Sequence, residues 1–409
     1  MRRARWLVTA TLVLALAVIA LGAYTRLTDA GLGCPDWPGC YGRLTPPVHD
    51  THIAAAQARF PDAQIDPFKA RNEMVHRYLA GLLGLCVLAI FIVSRRLPRG
   101  RRLAATLLAL VVFQAALGMW TVTMNLMPVV VVAHLFGGFG VLALLALLRS
   151  ELGCDAVAGG AHVDAAASGR RTGQSFVDAL ESSAAAALRG PVEPRLARLL
   201  PLAWLAFAVL LAQIALGGWT SANYAAAVCA QLPFCESGWS AQFSLRAAFS
   251  LPLGHETYEF GVLPYEARMS IHVLHRIGAL VAAGVVGSLA LLCWRHAMGA
   301  RARRLAVAVG VLLALQVTLG LINVIGQVPL FNAVAHNLTA ACLLATLVLL
   351  IRQLHASAAQ TFLSGQRTHP AARLTFAADP GMGTDRGSGL AREWADSEPL
   401  PSRASPLPR

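Results

Sequence analysis

Eight runs of roughly twenty apolar residues dominate this chain, at approximately 6–24, 74–93, 103–122, 129–148, 199–221, 269–293, 305–325 and 331–351. About 20 apolar residues are what a helix needs to cross about 30 Å of hydrocarbon, with its backbone polar groups satisfied internally. The expected fold class is therefore an all-α integral membrane protein with eight transmembrane helices. Composition agrees: 56% of residues are hydrophobic and 13% charged, where a soluble domain carries about a quarter charged. A net charge of +13 would suit a nucleic-acid partner. Here, however, the arginines cluster beside apolar runs, as orientation signals do, so the surroundings are membrane lipid and no nucleic acid is expected. The first run follows Met1-Arg-Arg-Ala-Arg5 and precedes only a weak cleavage signal, Gly22-Ala-Tyr-Thr25, so it reads as a retained helix.

Arginines also set the orientation. Arg2, Arg3 and Arg5 precede the first run, Arg95, Arg96, Arg99, Arg101 and Arg102 fill the 94–102 loop, and Arg295, Arg301, Arg303 and Arg304 fill the 294–304 loop. The 222–268 loop has only Arg246 and Arg268, and the 123–128 loop has none. Both termini are thus expected on the cytoplasmic side. Two close cysteine pairs, Cys34/Cys40 and Cys229/Cys235, then fall in outer loops, on the side where disulfides persist.

The halves repeat each other. Leu21-Gly-Ala-Tyr-Thr25 matches Leu216-Gly-Gly-Trp-Thr220, and without a gap Cys34, Pro38 and Cys40 fall on Cys229, Pro233 and Cys235. With small register shifts His76-Arg77 falls on His275-Arg276, Gln114 on Gln316 and His134 on His336. The expected organisation is two pseudo-symmetric four-helix bundles of parallel topology, 1–148 and 199–352. A cytoplasmic linker (149–198) joins them, and a tail (353–409) of disorder-like composition follows.

His76 and His134 enter their runs near the outer boundary, as do His275 and His336. Ionisable residues within spans are costly and usually line a site. Zinc would want a third or fourth ligand that does not recur at suitable spacing. A haem needs only axial partners and suits two imidazoles across a four-helix bundle. Gly81, Gly84, Gly137, Gly138, Gly140, Gly278 and Gly284 leave room for a flat macrocycle. Arg77 and Arg276 either pair with haem propionates or snorkel to the interface. The halves differ at Glu73, one turn before His76, where the second half has His272. A carboxylate there can accept a proton or stabilise a developing cation, which suggests one reactive and one auxiliary site.

The stretch from Gly22 to Cys40, with its Thr-Asp-Ala-Gly-Leu-Gly-Cys-Pro-Asp-Trp-Pro-Gly-Cys core, strongly resembles the first outer-loop signature of the heme A synthase family. Glu73-Met-Val-His-Arg77 resembles that family's Glu-x-x-His-Arg motif. Leu274-His-Arg276, the second cysteine pair and Asn332-Ala-Val-Ala-His336 fit too, so the resemblance covers about residues 6–351. It implies conversion of heme O to heme A, in which the C8 methyl becomes a formyl group by two successive hydroxylations and loss of water, for use by terminal cytochrome oxidase. It further implies that His76 and His134 flank the heme O iron, that Glu73 is catalytic, and that His275 and His336 ligate a resident haem b. Disulfides Cys34–Cys40 and Cys229–Cys235 are implied as well. Partners implied are heme O synthase, cytochrome oxidase assembly factors and an unidentified electron donor or acceptor, in a bacterial plasma membrane. From the residues alone, two readings compete. A diheme b-type cytochrome relaying electrons explains the four histidines but not Glu73 or the long Trp/Pro/Cys loop. A transporter built from repeats leaves the histidine pairs unexplained.

Overall fold

The computed structural model describes residues 2–95, 100–167, 193–251 and 253–368, and these are helical or irregular apart from one bridge between Cys40 and Arg43. In chain order the helices are α1 (Arg2–Leu27), α2 (Asp50–Arg59), α3 (Pro67–Ser94), α4 (Arg101–Thr123), α5 (Pro128–Ala167), α6 (Pro194–Ala197), α7 (Leu200–Ala222), α8 (Trp239–Gln242), α9 (Leu245–Ala248), α10 (Tyr265–His296), α11 (Ala300–Ile325) and α12 (Leu330–Thr368). Eight of them (α1, α3, α4, α5, α7, α10, α11 and α12) are long and apolar enough to span a membrane, and each contains one of the expected runs.

Helix ends follow from local chemistry. α3 begins two turns before its apolar run because Pro67 opens it and the Asp66 carboxylate accepts the N–H groups of Phe68 (2.9 Å) and Lys69 (3.1 Å). This extension brings Glu73 inside the helix. The Glu193 carboxylate accepts the N–H groups of Met298 and Gly299, both at 2.6 Å, just before α11. α5 and α12 run past residues 148 and 352, where the sequence reading places linker and tail. No proline or glycine occurs in 149–152 or 352–361 to stop either helix. The rest of the linker (168–192) and of the tail (369–409) lies outside the described residues.

Within the compact unit Met1–Gly365, α1 packs against α3 and α5, α3 against α4, and α4 against α5, which closes a ring of four. The second half repeats the pairs α7 with α10 and α10 with α11. α12 meets α11 through Asn332 Nδ2, which donates to Leu319 O (2.8 Å), and meets α7 through the Trp204 and His355 rings. The repeat extends to backbone conformation. Asn125 and Leu126 before α5 take positive φ (50° and 62°), and so do the aligned Gln327 and Val328 before α12 (52° and 62°). Asp29 and Tyr224, aligned at the ends of α1 and α7, do likewise (51° and 54°). This region is uncommon for residues with a Cβ.

The packed core sits toward one end of the helices. Fully buried Ile90, Leu107, Phe139, Leu145 and Leu289 lie toward the arginine-bearing end, with Ala4, Val8, Ala302 and Leu354. The histidine end carries three smaller buried clusters, around Cys34, Ala70 and Met74, around Ala225, Ala267 and Ile271, and around Cys229, Met269 and Val273. α5 also packs against α7 and so joins the halves. Arg352 reinforces the junction at the arginine end by bonding Ser150 (2.5 Å) and Glu151 (2.8 Å). At the histidine end Arg26 donates to Ser221 O (2.6 Å) and lies 4.0 Å over the Tyr224 ring, whose hydroxyl donates to Asp29 (3.1 Å).

Candidate functional site: two histidine pairs under disulfide loops

The helix rings bring the histidines together in the expected pairs. His76 on α3 and His134 on α5 lie within electrostatic reach of one another, as do His275 on α10 and His336 on α12. All four are half-buried. Nδ1 of His76, His134 and His336 is covered yet has no hydrogen-bond partner among the described residues. Buried polar atoms rarely stay unpaired.

Each imidazole lies against a glycine of the neighbouring helix. A Cβ at Gly22 would stand 2.9 Å from His76 Cε1, at Gly118 3.3 Å from His134 Cε1, at Gly217 3.0 Å from His275 Cε1 and at Gly320 3.2 Å from His336 Cε1. Only a hydrogen in place of Cβ leaves the rings where they are. The glycines expected to leave room for a macrocycle are different ones. Of these, Gly137 and Gly278 make room for the side chains of Gln114 and Gln213, while Gly81 and Gly284 have nothing within 4 Å. The ring-seating glycines were visible only as matched letters in the repeat, Gly22 with Gly217 and Gly118 with Gly320.

Three glutamines attend the pairs. Gln114 donates to His134 O (2.6 Å), Gln316 Nε2 lies 3.2 Å from His336 Nε2, and Gln213 reaches both His275 O (2.9 Å) and His275 Nδ1 (3.0 Å).

Above the first pair, Cys34 and Cys40 are bonded, with Cα atoms 4.8 Å apart, and the loop they close is fastened to α3 by Glu73 and Arg77. Glu73 is buried, accepts the Cys34 N–H at Oε2 (2.8 Å) and is ion-paired with Arg77 at Oε1. Arg77 also donates to Asp36 O (2.9 Å) and Gly39 O (2.5 Å). Gly33 permits the approach, because a Cβ there would lie 2.5 Å from the Lys69 carbonyl carbon. Below this loop Tyr41 is buried among Glu73, Asp36 and Asp66, and burial first, then those carboxylates, push its phenol pKa upward.

The second loop repeats the design with a difference. Cys229 and Cys235 are bonded, and Arg276 donates to Cys229 O (2.8 Å) and Gln231 O (2.6 Å). No carboxylate stands beside Arg276 on α10, since the buried His272 takes the place of Glu73. Glu236 instead ties the loop internally: its carboxylate accepts the Ala230 N–H (3.0 Å), which holds its pKa below the ordinary value. Both arginines thus grip loop carbonyls, a use that the sequence reading did not foresee for them.

Fold and site together define a multi-pass helical membrane protein with two paired-histidine sites, each beneath a disulfide-closed loop. Residues 4–348 match the family described as Cytochrome oxidase assembly protein (COX15-CtaA). The chain belongs to that family. It is 46% identical over 345 residues to the Heme A synthase of Shewanella oneidensis, covering 84% of this chain and 94% of that protein. It is 29% identical over 368 residues to the Heme A synthase of Erythrobacter litoralis, covering 84% and 94%. To that of Paracoccus denitrificans it is 34% identical over 177 residues, covering 36% and 45%.

Proposed function

We propose that this chain is an oxidoreductase that converts heme O to heme A, taking the C8 methyl through hydroxymethyl and geminal diol to formyl with loss of water. The observation that carries this is the near full-length similarity to Heme A synthases in a chain whose two histidine pairs differ at Glu73 and His272. Each hydroxylation removes two electrons from the methyl carbon, and the electron donor or acceptor is a partner outside this chain.

In this reading residues 1–148 form the substrate bundle and 199–352 the auxiliary one, with 149–198 as linker and 353–409 as tail. His76 and His134 would flank the heme O iron, with Glu73 one turn before His76 on the same helix. Glu73 is the catalytic residue. Its carboxylate shuttles a proton at the reacting carbon's oxygen or stabilises positive charge at the ring edge, while Arg77 and the Cys34 N–H orient it. The Cys34–Cys40 loop shields this edge from water.

The second pair suits a haem b held by His275 and His336. Supporting this are paired imidazoles on facing helices and glycines that leave room for all four rings. Such a group supplies one-electron redox chemistry. The arginine distribution supports both termini and the linker on the cytoplasmic side of a bacterial plasma membrane, with both disulfide loops outside. The product's use in terminal oxidase makes heme O synthase and cytochrome oxidase assembly factors natural partners.

Extraction and chromatography of the porphyrins in purified protein tests the assignment. Haem b accompanied by heme O or heme A is expected; haem b alone would favour an electron relay and sink the synthase reading.

A further inference from the structure

The repeat breaks at one position that touches a ligand histidine. Gln213 lies one turn from Gly217 on the same face of α7, and its amide reaches His275 Nδ1 (3.0 Å) and His275 O (2.9 Å). Gly278, one turn after His275, makes the space, since a Cβ there would collide with Gln213 Oε1. In the first half the aligned residues are Val18 and Leu79. A polar side chain opposite a glycine is thus replaced by two aliphatic ones, and His76 Nδ1 has no hydrogen-bond partner among the described residues. Gln213 Oε1 is likewise buried and unpartnered. A half-turn of the amide turns Oε1 toward Nδ1, where it accepts the N–H of a ring that ligates through Nε2.

We infer that Gln213 is the positioning residue of the second bundle: it fixes the tautomer and rotation of His275, so that this site retains its haem, whereas Val18 and Leu79 leave His76 free to bind and release a porphyrin in turnover. This rests on His275 and His336 being the ligands of a resident haem. The second nitrogen of a ligating imidazole normally has a hydrogen-bond partner that sets ring orientation and donor strength, and losing that partner typically costs about 10–100-fold in affinity. A resident group needs that hold. A substrate that must leave as product is better served without it. One bundle used twice thereby gains a retentive site and an exchanging site from a two-residue difference.

The test uses purified full-length protein with Gln213→Val, Gln213→Glu and His275→Ala. Three quantities are read: the rate of haem b transfer to excess apomyoglobin, its reduction potential and its low-temperature EPR spectrum. Gln213→Val is expected to release haem b about 10–100-fold faster, with a more positive potential and altered g values. Gln213→Glu, a stronger acceptor for Nδ1–H, is expected to restore slow release and move the potential negative. Should Gln213→Val fail to accumulate, Gln213→Val combined with Gly278→Leu reproduces the packing of the first bundle and gives the same readouts. Wild-type release, potential and spectrum in either variant overturns the inference. His275→Ala separates the two levels. Full haem b in that variant means the ligand assignment has failed. Loss of haem b there, with unchanged Gln213 variants, means that only the role of Gln213 has failed.

Discussion

Replacing Gly217 by alanine separates the seating of a histidine ring from the stability of the helix that carries the glycine. The new Cβ would stand 3.0 Å from His275 Cε1 and 3.7 Å from both ring nitrogens. Carbon pairs settle at about 3.5–4.0 Å, so the imidazole must retreat by about 0.5 Å or more. Sites of this kind are tuned to about 0.5 Å. Overpacking costs about 1–3 kcal/mol, and if it falls on the ligated state it weakens haem b binding about 5–150-fold. Helix propensity acts in the opposite direction, because alanine in a helix interior is favoured over glycine by about 0.5–1 kcal/mol. The expected pattern is haem b occupancy well below wild type, measured by pyridine haemochrome and Soret titration, with a thermal midpoint of the haem-depleted protein that is equal or higher. Gly81→Ala is the control, since that position is exposed with nothing within 4 Å, and its haem content should be unchanged. Wild-type haem affinity in Gly217→Ala would refute the idea that ring contact at this glycine positions the ligand.

Glu73→Gln should lower heme A formation by about 10²–10⁴-fold with haem b retained, and heme O or its hydroxymethyl form should accumulate; wild-type turnover would move the catalytic role elsewhere. Because glutamine can still accept the Cys34 N–H while losing the Arg77 ion pair, Glu73→Ala should additionally make the first loop more protease-sensitive than Glu73→Gln does, and equal cleavage rates would remove Glu73 from the loop's anchorage. Cys34→Ser should harm heme A formation more than Cys229→Ser if, as proposed, the first loop covers the reactive half; equal losses in the same assay would contradict that division of labour.

The spans were legible because an apolar run of membrane length is a local property. Their starts were less so: α3 begins at an aspartate cap and a proline, within polar sequence that hydropathy passes over. The repeat was legible because cysteines, glutamines and histidines align together, and it even carries the paired positive-φ turns at Asn125 and Gln327. What side chains do across the bundle was not legible. Glu73 meets Cys34 only because a loop 39 residues earlier folds back over α3 at Gly33, and Arg77 is drawn into the same fastening. Gln213 sits 62 residues from His275, in a position where the repeat offers valine, so no matched letter pointed to it. The glycines that seat the imidazoles were hidden for a related reason. Those on the histidine helices themselves were the obvious candidates, but a ring is seated by the helix opposite.

The buried cluster beneath the first disulfide loop bears on how a porphyrin would enter in the proposed function. Opening the loop over Glu73 breaks the buried contacts of Cys34, Tyr41, Ala70 and Met74 together with the Glu73–Arg77 ion pair, so loop and helix end form one cooperative unit on the local-unfolding ladder. In the proposed function, loading the first site after the helices have assembled would require that unit to lift.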